Sequence, residues 1–208
     1  MASESQFTSK SQFENESVVI RKAEVGTFEN NTYVVACRAT GASLIVDAAA
    51  DADAVIALAE GTQPTAIVTT HGHADHVGAA REVATRLSIP VCLHPADWGL
   101  CPITPDEETV PGIIGFGRAE VRLVHTPGHT PGSIGLVTDG AVITGDSLFP
   151  GGPGATRFTY SDFDQLMDGI EREYFSLPDE TVVMPGHGRD TTIGKERPAV
   201  PEWKARRW

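Results

Sequence analysis

Residues 66–76 read Ala66-Ile67-Val68-Thr69-Thr70-His71-Gly72-His73-Ala74-Asp75-His76. An apolar run suited to a buried strand gives way to a loop holding three of the chain's seven histidines and an aspartate within six residues. A strand that ends in a turn sets successive side chains around one point, where imidazole nitrogens and a carboxylate can close on a metal ion. Gly72 and Ala74 are small enough for the loop to fold tightly between such ligands. At this chain's composition of seven His and 13 Asp in 208 residues, the pattern arises by chance about five times in ten thousand chains. The plainer alternative is a solvated polar loop capping a helix that begins near His76.

Three further loops share this grammar. Thr126-Pro127-Gly128-His129-Thr130-Pro131-Gly132 is a Pro/Gly turn around a histidine, Thr144-Gly145-Asp146 follows Ala141-Val142-Ile143, and Met184-Pro185-Gly186-His187-Gly188 follows Thr181-Val182-Val183. Each delivers one ligand-type residue into a loop. Asp47, at the end of Leu44-Ile45-Val46, could hold a ligating imidazole in one tautomer through its free N–H, or could cap the next helix.

Outward from these loops, short Val/Ile-rich runs alternate with Gly and Pro, the mark of an α/β chain. Strands are predicted at Val18–Lys22, Thr32–Cys37, Ser43–Val46, Ala66–Thr69, Val91–His94, Val121–His125, Ile134–Val137, Ala141–Thr144 and Thr181–Met184. Helical spacing joins Ala52, Val55, Ile56 and Ala59, then Ala80, Val83, Ala84 and Leu87. The clearest helix carries Phe163, Leu166, Met167, Ile170 and Tyr174 on one stripe, opened by Ser161 and stopped before Pro178. Each helix has one apolar side and should lie on a sheet. Residues 1–16 are polar and read as a loose arm, with residues 17–208 as a single domain.

The composition, 40% hydrophobic and 21% charged in 208 residues, is that of a globular chain. A formal charge of −12 argues against nucleic acid as a partner, because such affinity comes largely from Lys and Arg displacing counterions. No stretch approaches the roughly 20 apolar residues of a membrane span, and the first residues lack a basic-then-apolar signal layout. A cytoplasmic protein without membrane partners is expected. Cys37, Cys92 and Cys101 form no CxxC pair and read as plain thiols. His94 and His125 fall in no ligand motif and read as structural.

From about Asn31 to Pro198 the chain resembles the metallo-β-lactamase superfamily, and within it the glyoxalase II (hydroxyacylglutathione hydrolase) branch. The HxHxDH cluster, GHTPGS turn, GDSLF segment and PGHG loop followed by TTIGKERP stand in the family's order. The resemblance implies a four-layer αββα sandwich with a two-metal site at one edge. It makes His71, His73 and His129 ligands of one ion, Asp75, His76 and His187 ligands of the other, and Asp146 a bridge. Asp75 and Asp146 are thereby catalytic as well as ligating. All donors are N or O, which suits zinc, the expected ion, and also iron or manganese.

The implied activity is hydrolysis by a hydroxide held between two divalent ions, on a small-molecule thioester such as an S-2-hydroxyacyl thiol. A thiol of pKa roughly 8.5 leaves as thiolate with little proton donation, so no separate general acid is required. A persulfide dioxygenase with one iron, or a lactonase, are the alternatives within the fold, and a metal-binding protein without activity is a third. Glyoxalase II proper has a C-terminal helical domain that contacts glutathione. Twenty-one residues follow His187 in the 208 of this chain, so a short form lacking that domain is expected. Lys195, Arg197, Lys204, Arg206 and Arg207 form a basic tail that could meet an anionic substrate, the plainer alternative being simple solvation. The Gly/Pro-rich stretch Phe149–Phe158 is expected to be irregular and to run along the pocket mouth, with Arg157 and Phe158 as substrate-binding residues. The sequence leaves the oligomeric state open.

Overall fold

Asn30–Cys37 is buried along its whole length, and its side chains alternate between two cores: Val34 enters one, while Tyr33, Val35 and Cys37 enter another. A strand buried on both faces must be covered on both sides, and this sets the layering. The computed structural model describes residues 11–207.

The first sheet has seven strands in spatial and sequence order: β1 (Ser11–Glu14), β2 (Val18–Val25), β3 (Asn30–Cys37), β4 (Ala42–Val46), β5 (Gln63–Val68), β6 (Val91–Leu93) and β7 (Glu107–Glu108). It is antiparallel from β1 to β4 and parallel from β4 to β7. The chain then enters a second sheet through β8 (Gly112–Phe116), β9 (Ala119–His125), β10 (Ile134–Thr138) and β11 (Ala141–Gly145). It leaves as a small hairpin, β12 (Leu148–Phe149) with β13 (Gly152–Pro153), and returns as β14 (Val182–Pro185), parallel to β11, and β15 (Thr191–Thr192).

Helices α1 (Ala52–Leu58), α2 (Ala74–Val77) and α3 (Ala80–Leu87) follow strands of the first sheet. Among α4 (Phe163–Gly169), α5 (Ile193–Glu196) and α6 (Val200–Arg206), the first continues as a π-helical turn over Ile170–Tyr174. Val55, Leu58 and Val83 pack with Ile45 and Ile67 on one face of the first sheet. Leu44, Val68, Leu136 and Ile143 fill the space between the sheets, and Leu166, Ile170, Tyr174 and Trp203 pack with Val142 and Val183 on the far face of the second. The result is the expected four-layer αββα sandwich. No helix among the described residues is long and apolar enough to cross a membrane.

Four expectations need correction. Residues 11–14 are not arm but strand β1, because Phe13 pairs opposite Ile20 and packs on the inter-sheet core; residues 1–10 lie outside the described residues. The cap of α4 is Asp162, whose carboxylate accepts from Gln165 N–H at 3.0 Å, whereas the Ser161 hydroxyl donates to the His129 carbonyl at 2.7 Å. The stretch after Asp146 is partly regular, since Leu148 pairs with Pro153 and Phe149 with Gly152. The basic tail is mostly engaged elsewhere: Arg197, Lys204 and Arg207 pair with Asp179, Glu171 and Asp164 on the protein's own surface. Helix α6 holds Trp203, 1% exposed, in the third core. Trp203→Ala is therefore expected to cost about 3–5 kcal/mol, read as a lowered urea midpoint.

Candidate metal centre

The motif residues follow the carboxyl ends of strands: Asp47 after β4, His71 and His73 after β5, His129 after β9, Asp146 after β11 and His187 after β14. Asp75 and His76 lie on α2, which begins directly after His73. These loops bring all seven expected ligand residues to one place. Three groups each present donor atoms within 4.8 Å of one another: His71, His73 and His129; His71, His76 and Asp146; and Asp75, His76 and His187. Asp146 ties the groups together, with its carboxylate 3.5 Å from His76 Nε2, 3.7 Å from His129 Nε2 and 3.6 Å from His187 Nε2.

Each imidazole is held from behind. His129 Nδ1–H donates to the Ala155 carbonyl at 2.7 Å, and His187 Nδ1–H to the Phe28 carbonyl at 2.8 Å. His76 Nδ1–H donates to Asp47 Oδ2 at 2.8 Å. His71 Nδ1 meets the Thr70 hydroxyl at 3.1 Å, and that hydroxyl donates to Asp47 Oδ2 at 2.7 Å. His73 is reversed: its Nδ1 lies 3.0 Å from His71 Nε2 and 3.1 Å from His129 Nε2, while its Nε2 meets the Tyr160 hydroxyl at 2.8 Å. An N–H fixed to an acceptor on one side leaves a lone pair on the other, so the inward nitrogens are free to bind a cation.

The interior of this cluster is under-satisfied. His76 Nε2 and Asp146 Oδ1 are both buried with no hydrogen-bond partner among the described residues. A buried lone pair without a partner costs free energy. A cation between nitrogen and oxygen donors would satisfy both, and the donor set of imidazoles and carboxylates suits a divalent transition metal. The residues therefore fit the two-ion site that the fold family implies.

The clustered charges set protonation in the metal-free chain. Burial, then the neighbouring histidines, pushes His71 well below its ordinary range, and burial with His129 lowers His73. Burial opposes charge on His76 too, but the Asp146 and Asp47 carboxylates outweigh it and raise that imidazole. His187 is raised by its contact with Asp75, and the same contact holds the Asp75 carboxyl far below the usual carboxylate range. Asp146 is lowered despite burial, through His76, His129 and His187.

A cavity of about 790 Å³ opens onto His73, Asp75, His129, Asp146 and His187. Phe28, Phe149 and Phe158 line it, together with Arg157, whose guanidinium lies 5.7 Å from the Phe158 ring centre. Both residues expected to bind substrate thus face the same space as the cluster. Asp47 lies behind the imidazoles rather than capping α1, whose cap is Asp51. His94 and His125 stack on each other at 4.5 Å, outside the cluster.

Four participants carry no sequence signal. Thr70 relays Asp47 to His71, and Asn30 Nδ2 donates to Asp75 Oδ2 at 3.2 Å. Tyr160 backs His73 and stacks on Phe158 at 5.3 Å. Asp97 touches both histidine loops. Gly186 of the PGHG loop does have a signal in its motif: a Cβ there would stand 2.2 Å from Asp146 Oδ1.

An Aquifex aeolicus protein of uncharacterised function is 32% identical over 88% of this chain and 96% of its own length. The hydroxyacylglutathione hydrolase GloC of Haemophilus influenzae is 32% identical over 65% of this chain and 74% of its own. Among solved structures, BLEG-1 B3 metallo-beta-lactamase matches with a TM-score of 0.80 at 30% identity, covering 88% of this chain and 98% of that one. TTHA1623 in a di-iron-bound form gives 0.75 at 33% identity over 85% and 96%, and ETHE1 from Myxococcus xanthus gives 0.76 at 28% over 88% and 83%. The family model of the metallo-beta-lactamase superfamily matches residues 25–187, and the chain belongs to that superfamily.

Proposed function

We propose that this superfamily member is a two-ion hydrolase of thioesters, acting on S-2-hydroxyacyl thiols in the manner of the hydroxyacylglutathione hydrolases. The observation that carries the reading is the set of three donor groups that overlap at His71 and His76, with Asp146 also 3.7 Å from His129 and 3.6 Å from His187, opening on an apolar-walled cavity. The 32% identity to GloC supports the substrate class. Two bound divalent ions would supply a water of lowered pKa and polarise a carbonyl. His71, His73 and His129 would hold one, Asp75, His76 and His187 the other, with Asp146 between. Zinc is the proposed ion, although the likeness to a di-iron structure makes iron the rival.

The chain's own residues do the rest. Phe28, Phe149 and Phe158 give the cavity an apolar wall, and Arg157 places a cation beside it. Asp75 and Asp146 are both held ionised, so neither carboxyl is available to donate a proton to a leaving group. A thiolate needs none, which favours a thioester over an ester with an alkoxide leaving group. A cytoplasmic location and a small-molecule substrate without nucleic-acid or membrane partners belong to the same proposal.

The test is a panel of S-lactoyl thiols, homoserine lactones and a persulfide, assayed on protein of measured metal content. Thioester hydrolysis with two Zn per chain is expected. One Fe per chain with oxygen consumption on persulfide, or turnover of lactones alone, would overturn the reading.

Acidification should empty the two groups in order. His76 and His187 have raised pKa values in the metal-free chain, so they take protons at higher pH than the ordinary value of 6.5 and must lose them to bind a cation. His71 and His73 are shifted down and stay neutral. The ion at Asp75, His76 and His187 is expected to leave at a higher pH than the other. Stepwise metal release during dialysis from pH 8 downward checks this, and simultaneous loss contradicts it.

A further inference from the structure

Asp97 belongs to none of the four motifs. It ends a 3-10 turn, Pro95–Asp97, after β6, and is 0% exposed. Its carboxylate accepts three hydrogen bonds: from Gly72 N–H at 2.8 Å and the Thr130 hydroxyl at 2.6 Å on Oδ2, and from Gly132 N–H at 2.6 Å on Oδ1. Gly72 stands between His71 and His73, and Thr130 follows His129. One buried carboxylate therefore holds the backbone between His71 and His73 and, through the Thr130 hydroxyl and the Gly132 N–H, the loop that carries His129.

The approach is close enough to dictate sequence on both loops. A Cβ at Gly72 would lie 2.8 Å from the Asp97 carbonyl oxygen, and one at Gly132 would lie 2.7 Å from Asp97 Cγ. Separations below about 3 Å force the backbone apart, so both glycines are required where Asp97 wedges between the loops. The Asp97 main chain is itself fixed, since its carbonyl accepts from Leu100 and Cys101 N–H at 2.9 and 3.0 Å. The second donor group is organised differently: Asp47 holds His76, Asn30 holds Asp75 and the Phe28 carbonyl holds His187. None of these contacts involves Asp97.

We propose that Asp97 is a positioning residue that clamps the His71–His73 loop to the His129 loop and thereby sets the affinity of the first ion without setting that of the second. The proposal rests on the two-ion reading above. Asn in place of Asp keeps the shape but turns an N–H₂ toward N–H and O–H donors, where a charged acceptor had stood. Groups that hydrogen-bond a ligating side chain directly change metal affinity by about 10–100-fold when removed, and a clamp on the loops that carry the ligands is expected at the lower end of that range.

The experiment measures site-resolved zinc occupancy, by anomalous scattering from crystals of the full chain equilibrated at a series of free Zn²⁺ concentrations. Asp97→Asn should lose zinc at His71, His73 and His129 at 10-fold or more higher free Zn²⁺ than the wild type, with the other position unchanged. Thr130→Val, which deletes one of the three donors and leaves the carboxylate, covers the case in which Asp97→Asn does not fold. It should shift the same position in the same direction by a smaller factor. A purely architectural role would lower thermal stability and weaken both positions together, and that result, or no shift at either, overturns the proposal. A wild-type chain that takes fewer than two zinc ions overturns the two-ion reading instead.

Discussion

Asp146→Ala is expected to abolish thioester hydrolysis, lowering kcat by roughly three orders of magnitude or more, and to strip metal from the protein in the same step. The size of the effect follows from position. Asp146 is the carboxylate that reaches His76, His129 and His187 at 3.5–3.7 Å, so it touches residues of both the His71–His73–His129 and Asp75–His76–His187 groups. Removing it leaves three buried or half-buried imidazoles facing one another, with less negative charge to offset a cation. Asp146→Asn keeps the volume and should be nearly as damaging, because the charge rather than the shape balances the ions. Metal analysis beside a steady-state assay reads both effects. A variant with two ions and full activity would show that the groups act separately.

Asp47→Ala should produce the second largest loss, through groups that never touch substrate. Its carboxylate accepts from His76 Nδ1, from the Thr70 hydroxyl and from Thr70 N–H at 2.7–2.8 Å, all in a buried setting. Alanine leaves three buried donors without an acceptor, each costing about 1–3 kcal/mol. His76 is then free to rotate, and His71 loses the chain that runs through Thr70. The expected outcome is a fall of about 10–100-fold in metal affinity and a thermal midpoint lowered in the metal-free protein as well. Asp47 also adopts a φ of 54°, a left-handed backbone that Asn tolerates and Ala resists. Asp47→Asn should therefore recover part of the stability without recovering affinity. Chelator competition and thermal melts on both variants separate the two effects. Wild-type affinity in either variant would remove Asp47 from the account.

The candidate ligand residues were legible because the chemistry is written locally. His71, His73, Asp75 and His76 are consecutive enough to be improbable by chance, and His129, Asp146 and His187 each follow an apolar run or a Pro/Gly turn. The layer behind them was not. Thr70, Asn30, Asp97 and Tyr160 are ordinary residue types that gain a role only when distant segments meet, as Asp97 meets Gly132 from 35 positions away. The central strands were readable from their short apolar runs, as in the Tyr33-Val34-Val35-Ala36-Cys37 stretch of β3, which is buried on both faces. Two-residue strands such as β7, β12, β13 and β15 are too short for any periodicity to register. Strand β1 hid in a polar segment whose apolar anchor is Phe13, and α6 hid in a tail whose charges concealed Trp203.

The measurement that bears most directly on the account is anomalous scattering at the zinc and iron edges from crystals of the metal-loaded chain. Two peaks are predicted, one against His71, His73 and His129, the other against Asp75, His76 and His187, with Asp146 in contact with both. A single peak, or none with those side chains left unliganded at saturating metal, would contradict it.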